Sequence, residues 1–242
     1  KNQIHQMKRK GAFGNIVSSI TTDVYGNLII GSDNGVDYYH NGQFEEVPCC
    51  PRADRVESNN LVYDIYNTDA KTTLVATRLG LLEARYKNRK IDSLYLNKYF
   101  RTLILRIHQS RDKRIWVSTA GNSYLFILKY NKGRLEITDS LLWQSSVRCF
   151  YEDTKTGIMW MASEKGLIRY NLQQNTYTQI TTDDGLANNY LYAVIPDKKG
   201  QLWLSSNKGL MCYNPVKKTC RNYNVTDGLQ SNEFNTGAFL QK

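Results

Sequence analysis

The chain has 242 residues, of which 41% are hydrophobic and 12% aromatic, and it carries a formal net charge of +10. That apolar and aromatic content excludes an intrinsically disordered chain. No apolar run approaches the roughly 18 residues of a membrane-spanning helix, and the opening KNQIHQMKRK leads into no apolar segment of a signal peptide.

In chain order, residues 1–14 read as the tail of a preceding unit and a connection, with Gly11 and Gly14 marking a loop. A first group of four strands occupies 15–47, at 16–21, 28–32, 36–39 and 44–47, with Asp33-Asn34-Gly35 and Asn41-Gly42 as tight turns. After a connection with two prolines, a second group occupies 60–96, at 62–66, 73–77, 81–86 and 91–96. The third group (102–139) contains IHQSRDKRIWVST and then an irregular turn around Gly121, a departure that flags a loop of functional interest. The fourth (146–181) and fifth (189–225) are the most regular, and 232–242 reads as the start of another group, with an inner strand at 232–240.

These groups repeat. Aligned on the second residue of the LWLSS-type string they give Ile29, Leu74, Trp116, Trp160 and Trp203, separated by 45, 42, 44 and 43 residues. The glycine of the next turn follows as Gly35, Gly80, Gly166 and Gly209. Four short strands per period of about 43 residues is the signature of propeller blades, not of helical or leucine-rich solenoids. The expected fold is an all-β propeller of four-stranded antiparallel blades, about five plus part of a sixth. Because propellers close to remove their edges, that count marks the chain as a piece of a larger protein.

The repeat also sorts the polar residues. Asp23, Asp69, Asp112, Asp153 and Asp197 recur in the turn between the first and second strand of each blade, which points to Asx-turns and not to a catalytic acid. His5, His40 and His108 have no ligand spacing, and no nucleophile motif, phosphate loop or CxxC pair is present, so neither a cofactor nor a metal is expected. Lysine and arginine gather in the A-B turns (Arg111, Lys113, Arg114, Lys198, Lys199) and in the C-D turns (Lys87, Arg89, Lys90, Lys132, Lys217, Lys218), which share one face of an up-and-down blade. Of five cysteines, Cys49 and Cys50 are adjacent and poorly placed to bond each other. Cys212 and Cys220 flank a hairpin turn symmetrically about Val216, which places them opposite each other, as a disulfide or as two free thiols.

The phrases IMWMASEKGLIRYN, QLWLSSNKGLMCYNP, DDGLANNYLYAV and DGLQSNEFN resemble the two-component regulator propeller repeats. Such repeats build the periplasmic sensor region of hybrid two-component histidine kinases in polysaccharide-degrading gut bacteria. The resemblance spans about 15–239 and is strongest from 146 onward; Ile29 and Leu74 depart from the usual tryptophan. It implies that residues 1–242 form a partial propeller sensor domain of an inner-membrane protein, lying in the periplasm, with the kinase elsewhere and no enzyme in this segment.

A sensing propeller is expected to take an oligosaccharide, with the basic excess leaning towards an acidic one. Aromatic faces and planar polar groups on the D-A and B-C loops would hold it: Asn15, Asn60, Arg78, Arg148, Asn189, Tyr190 and Tyr192, together with Arg106 and His108 on the third inner strand. Further partners are the rest of the sensor's periplasmic region and, through open edges near Ile16 and Phe239, a second copy; nucleic acid is not expected. The competing readings are a propeller lyase or hydrolase, which would need a unique acid and base cluster at one mouth, and a basic polyanion-binding scaffold, which would bind with steep salt dependence.

Overall fold

A computed structural model of the chain describes residues 16–40, 43–47, 61–120, 124–142 and 145–237. Asn15, Asn60, Cys49, Cys50, Phe239, the Asn41-Gly42 turn and the Gly121 turn lie outside them, as do Gly11 and Gly14. Five four-stranded antiparallel sheets follow one another, each with its strands side by side in chain order. The first is β1 (Val17–Thr22), β2 (Leu28–Ser32), β3 (Gly35–His40) and β4 (Gln43–Glu46). The second is β5 (Val62–Asn67), β6 (Thr73–Thr77), β7 (Leu81–Lys87) and β8 (Lys90–Leu96). The third is β9 (Ile104–Gln109), β10 (Ile115–Thr119), β11 (Tyr124–Asn131) and β12 (Arg134–Leu142). The fourth is β13 (Val147–Asp153), β14 (Ile158–Ser163), β15 (Gly166–Asn171) and β16 (Thr176–Ile180). The fifth is β17 (Leu191–Pro196), β18 (Leu202–Ser206), β19 (Gly209–Asn214) and β20 (Thr219–Tyr223). These are five propeller blades, and they fall into two compact units, residues 1–107 and 108–242.

Local chemistry explains why each blade folds alike. In four of the A-B turns the recurring aspartate accepts backbone N–H groups, and in the second blade Thr68 bonds the Thr72 carbonyl across the turn. Asp23 Oδ1 takes the N–H groups of Tyr25 and Asn27 at 2.8 Å, and Asp197 Oδ1 takes those of Lys199 at 2.8 Å and Gln201 at 2.9 Å. In the B-C turns a hydroxyl three residues ahead of the glycine closes the loop, as Ser163 Oγ donates to the Gly166 carbonyl at 2.8 Å and Thr77 Oγ1 to that of Gly80 at 2.8 Å. Gly209 must be glycine twice over. Its φ is +103°, and a Cβ there would stand 2.0 Å from the Tyr223 carbonyl oxygen.

Packing of one blade on the next fills each core. In the first unit Ile29, Val36, Tyr38, Val62, Ile65 and Val75 form one buried cluster across the first two sheets. In the second unit Trp116 meets Tyr170 of the fourth sheet edge-to-face, centroids 5.1 Å apart, and Trp160 meets Tyr213 of the fifth at 6.4 Å. The repeat position thus sends a large apolar side chain into the following blade, where aromatic burial adds a geometric preference to the area gained. Trp203 is only partly buried and stacks instead on Tyr223, at 5.5 Å.

Two expectations are corrected. No strand forms at 232–237; instead Gly209 N–H donates to the Asn232 carbonyl at 2.7 Å and Phe234 N–H to that of Ser206 at 3.2 Å, so this segment is tied to the B-C turn of the fifth blade. Cys212 and Cys220 are not opposite each other, because the β19–β20 register pairs Cys212 with Arg221 and Tyr213 with Cys220. A register offset by one residue sends the two side chains to opposite faces of the sheet. Both are free thiols: Cys212 Sγ lies 2.7 Å from Gln201 Oε1, and Cys220 packs against the core.

Candidate functional site

The inner strands of four blades share a register shift near their start, between Val17 and Ser19, Val62 and Asp64, Val147 and Cys149, and Leu191 and Ala193. A bulge adds one residue to one strand of a pair and re-aims its side chain. The residues so released are Ser18, Tyr63, Arg148 and Tyr192, all half-buried.

In the second unit this device assembles a cluster. Arg148 donates from Nε at 3.1 Å and from Nη2 at 2.6 Å to the same oxygen, Glu164 Oε1, and from Nη1 at 2.9 Å to Thr236 Oγ1. Its guanidinium lies 5.2 Å from the ring centre of Tyr190 and 5.7 Å from that of Tyr192, within cation–π range. The two rings are 5.1 Å apart and inclined at 58°. Tyr190 Oη donates to Glu164 Oε1 at 3.1 Å, and Tyr192 Oη to Asn207 Oδ1 at 2.8 Å. Burial pushes the Tyr190 phenol up, with Arg148 opposing that shift and Glu164 adding to it.

Three of the residues expected from the sequence, Arg148, Tyr190 and Tyr192, therefore meet. Glu164, Asn207 and Thr236 complete the group without having been singled out. Glu164 and Asn207 occupy the same place in two copies of the B-C turn, SEKG and SSNKG, where any polar residue reads as turn filler. The equivalent residue of the first blade, Asp33, accepts the Ile16 N–H at 3.3 Å, so this turn position repeatedly faces the start of an inner strand.

The other expected residues go elsewhere. Asn189 closes its own loop, its Oδ1 accepting Thr182 N–H at 2.7 Å and its amide donating to Thr182 Oγ1 at 3.3 Å. Asn232 does the same for Val225 one repeat later, at 2.9 Å. Arg78 is exposed, and its N–H donates to the Leu61 carbonyl at 3.0 Å. Arg106, in the first unit, is buried and donates from Nη1 to the Tyr63 carbonyl at 2.5 Å, with Asp64 at 4.0 Å. His108, in the second unit, stacks on Phe150 at 5.8 Å with Glu152 at 3.9 Å, and burial lowers its pKa to about 4.

Chemically the Arg148 cluster offers two inclined aromatic faces with a donor and an acceptor between them. Glu164 meets both Arg148 and Tyr190 through one oxygen, Oε1. Among the described residues no group of three or more His, Cys, Asp or Glu could hold a metal ion. A cavity of about 510 Å³ opens elsewhere, in the first unit, beside Glu45, Glu46, Lys87, Lys90 and Asp92. Its charges are mixed and partly self-paired, Lys90 bonding Glu45, and no aromatic pair lines it.

Comparison with known proteins places this geometry. Residues 185–208, which run from the Gly185 turn through β17 and β18 and hold Tyr190, Tyr192 and Asn207, match the two component regulator propeller family. No curated protein sequence matches the chain. Among solved structures, the chain resembles the extracellular domain of a protein described as a hybrid two component system of B. thetaiotaomicron, with 22% identity and a TM-score of 0.76 over 94% of this chain and 31% of that one. A second such domain from the same organism matches at 18% identity and a TM-score of 0.50, over 94% of this chain and 36% of that one. A catalytically inactive virginiamycin B lyase from Staphylococcus aureus, with quinupristin, matches at 12% identity and a TM-score of 0.66, over 94% of this chain and 74% of that one. The chain spans about a third of the length of the two-component structures it matches. Repeat, blade architecture and solved structures agree that the chain is a stretch of β-propeller, within which residues 185–208 match the two-component regulator propeller repeat.

Proposed function

We infer that the chain is part of the extracellular, ligand-sensing propeller of a hybrid two-component sensor, held in the periplasm by an inner-membrane protein. It binds an oligosaccharide and does not transform it. The observation that carries this reading is the Arg148, Glu164, Tyr190 and Tyr192 cluster, which lies partly inside the matched repeat. Inclined aromatic faces beside a paired guanidinium and carboxylate suit a sugar ring, whose CH faces pack on aromatics while its hydroxyls both donate and accept. Binding would be relayed to the rest of the sensor through domain packing.

The test is calorimetric titration with a panel of neutral and acidic oligosaccharides, with product analysis of each sample. Selective heat for one class without new products is expected, and Arg148→Ala should weaken that binding at least about tenfold, as removing a charged hydrogen-bonding group does. Cleavage products would replace this reading with an enzyme.

A further inference from the structure

The second unit is electrically lopsided along its strands. At the end formed by its A-B and C-D turns stand Lys132, Lys155, Lys198, Lys199, Lys217 and Lys218, all exposed. Among the described residues none of these six forms an ion pair. Three carboxylates at that end are engaged within their own turns. Asp153 Oδ1 accepts the Lys155 N–H at 3.1 Å and its Oδ2 the Thr156 hydroxyl at 2.7 Å. Asp197 is taken up by two backbone N–H groups and by Trp203 Nε1 at 3.3 Å, and Asp112 by Ser110, Arg114 and its backbone. The opposite end, at the D-A and B-C loops, carries exposed Asp183, Asp184, Asp227 and Glu233. The Asx-turns that shape the blades thus tie these three carboxylates to their own turns, while the six ammonium groups outnumber them and stand without a carboxylate partner among the described residues.

We propose that this lysine-bearing end of the second unit is a separate binding surface for a linear acidic polysaccharide. It does not rest on the Arg148 cluster. Lysine ammonium groups are compact, mobile point charges, suited to anions repeated along a polymer and not to one anion gripped in a fixed fork. The six stand on turns of three successive blades, so a chain laid across them meets one cation after another. The same turns hold no aromatic residue to stack a nucleobase. Their one mostly exposed large apolar side chain is Val216, 90% exposed, which is too little apolar surface to seat in a bilayer.

The experiment titrates the full chain with polygalacturonate, with neutral dextran, duplex DNA and phosphatidylglycerol vesicles as further arms, at 50 and 200 mM salt. Polygalacturonate should bind at 50 mM and weaken about tenfold or more at 200 mM, as release of several counterions requires. The variant K198E/K199E/K217E/K218E, with an unchanged circular dichroism spectrum, should lose at least about tenfold in affinity. Lys165→Glu with Lys208→Glu, at the other end, should leave it within about twofold. Undiminished binding by the quadruple variant would overturn the proposal, as would equal binding of DNA or vesicles. Loss of polygalacturonate binding in Arg148→Ala alone would move the acidic ligand to the cluster, overturning the separate surface while keeping the sensor reading.

Discussion

Blades one and three solve the same packing problem from opposite strands. In the third blade the repeat position is Trp116 on β10, facing Ile127 across the pair, and its indole N–H reaches the A-B turn at Ser110 Oγ, 3.0 Å away. In the first blade the aliphatic residue is on the second strand, Ile29, and the aromatic one is its partner on the third, Tyr38. There the phenol makes the link to the turn, donating to Asp23 Oδ2 at 3.2 Å. In these two blades one large aromatic of the cross-strand pair also carries a polar tether to the A-B turn, supplied by the second strand in one and the third in the other. The second blade varies further, pairing Leu74 with Glu83, a buried carboxylate that accepts from Tyr95 at 3.1 Å and Asn97 at 2.6 Å.

The sharpest way to break the comparison is Trp116→Ala. The side chain is fully buried, so its loss should cost about 3–5 kcal/mol, read by denaturant unfolding of the second unit. A cost under about 1 kcal/mol would mean that the anchor is not what holds the blades together.

The two units should next part company in acid. His108 is held neutral in the second unit, with a folded pKa of about 4 against an ordinary 6.5. Because the folded pKa is depressed, its stability is full above about pH 6.5 and is lost as pH falls from there towards 4. Burial raises the Glu152 carboxyl, which gains stability as pH falls and offsets part of that loss. In the first unit burial likewise raises Asp64, with Arg106 opposing, so acid favours that unit there. Hydrogen exchange at pH 7 and pH 5 should therefore show the second unit losing about 1 kcal/mol and the first losing none, with His108→Gln abolishing the difference.

Tyr38→Phe is the smallest test. It removes the tether and keeps the ring, and Asp23 retains bonds from Tyr25 and Asn27, so about 0.5–1 kcal/mol should be lost. Trp116→Phe should cost more than Tyr38→Phe, since it both shrinks the ring and removes the indole N–H bond to Ser110.

What could be read from the sequence was whatever recurs from blade to blade: the strands, the Asp-bearing turns, the glycines and the anchor. Even Ile29 and Leu74 fell into place by spacing, although the exchange of roles between Ile29 and Tyr38 needed the register. The site was legible only in part, because its members are the residues that do not repeat. Arg148, Tyr190 and Tyr192 stood out by chemistry at loop ends, whereas Glu164 and Asn207 were hidden in a turn whose frame is constant. Thr236 was hidden by an expected strand that does not form among the described residues. Asn189 looked available by its chemistry, although its counterpart Asn232, one repeat on, closes its own loop in the same way and marks the position as structural.

The bulge at the start of the inner strands carries a consequence for how such a chain can change. At Ser18, Tyr63, Arg148 and Tyr192 the side chain leaves the blade's alternation, so replacing it neither opens a hole in the core nor breaks a ladder bond. Those four positions form an alphabet printed on a fixed press. Saturation mutagenesis should find them permissive for folding while the residues on either side are not, and a new specificity could be written there one letter at a time.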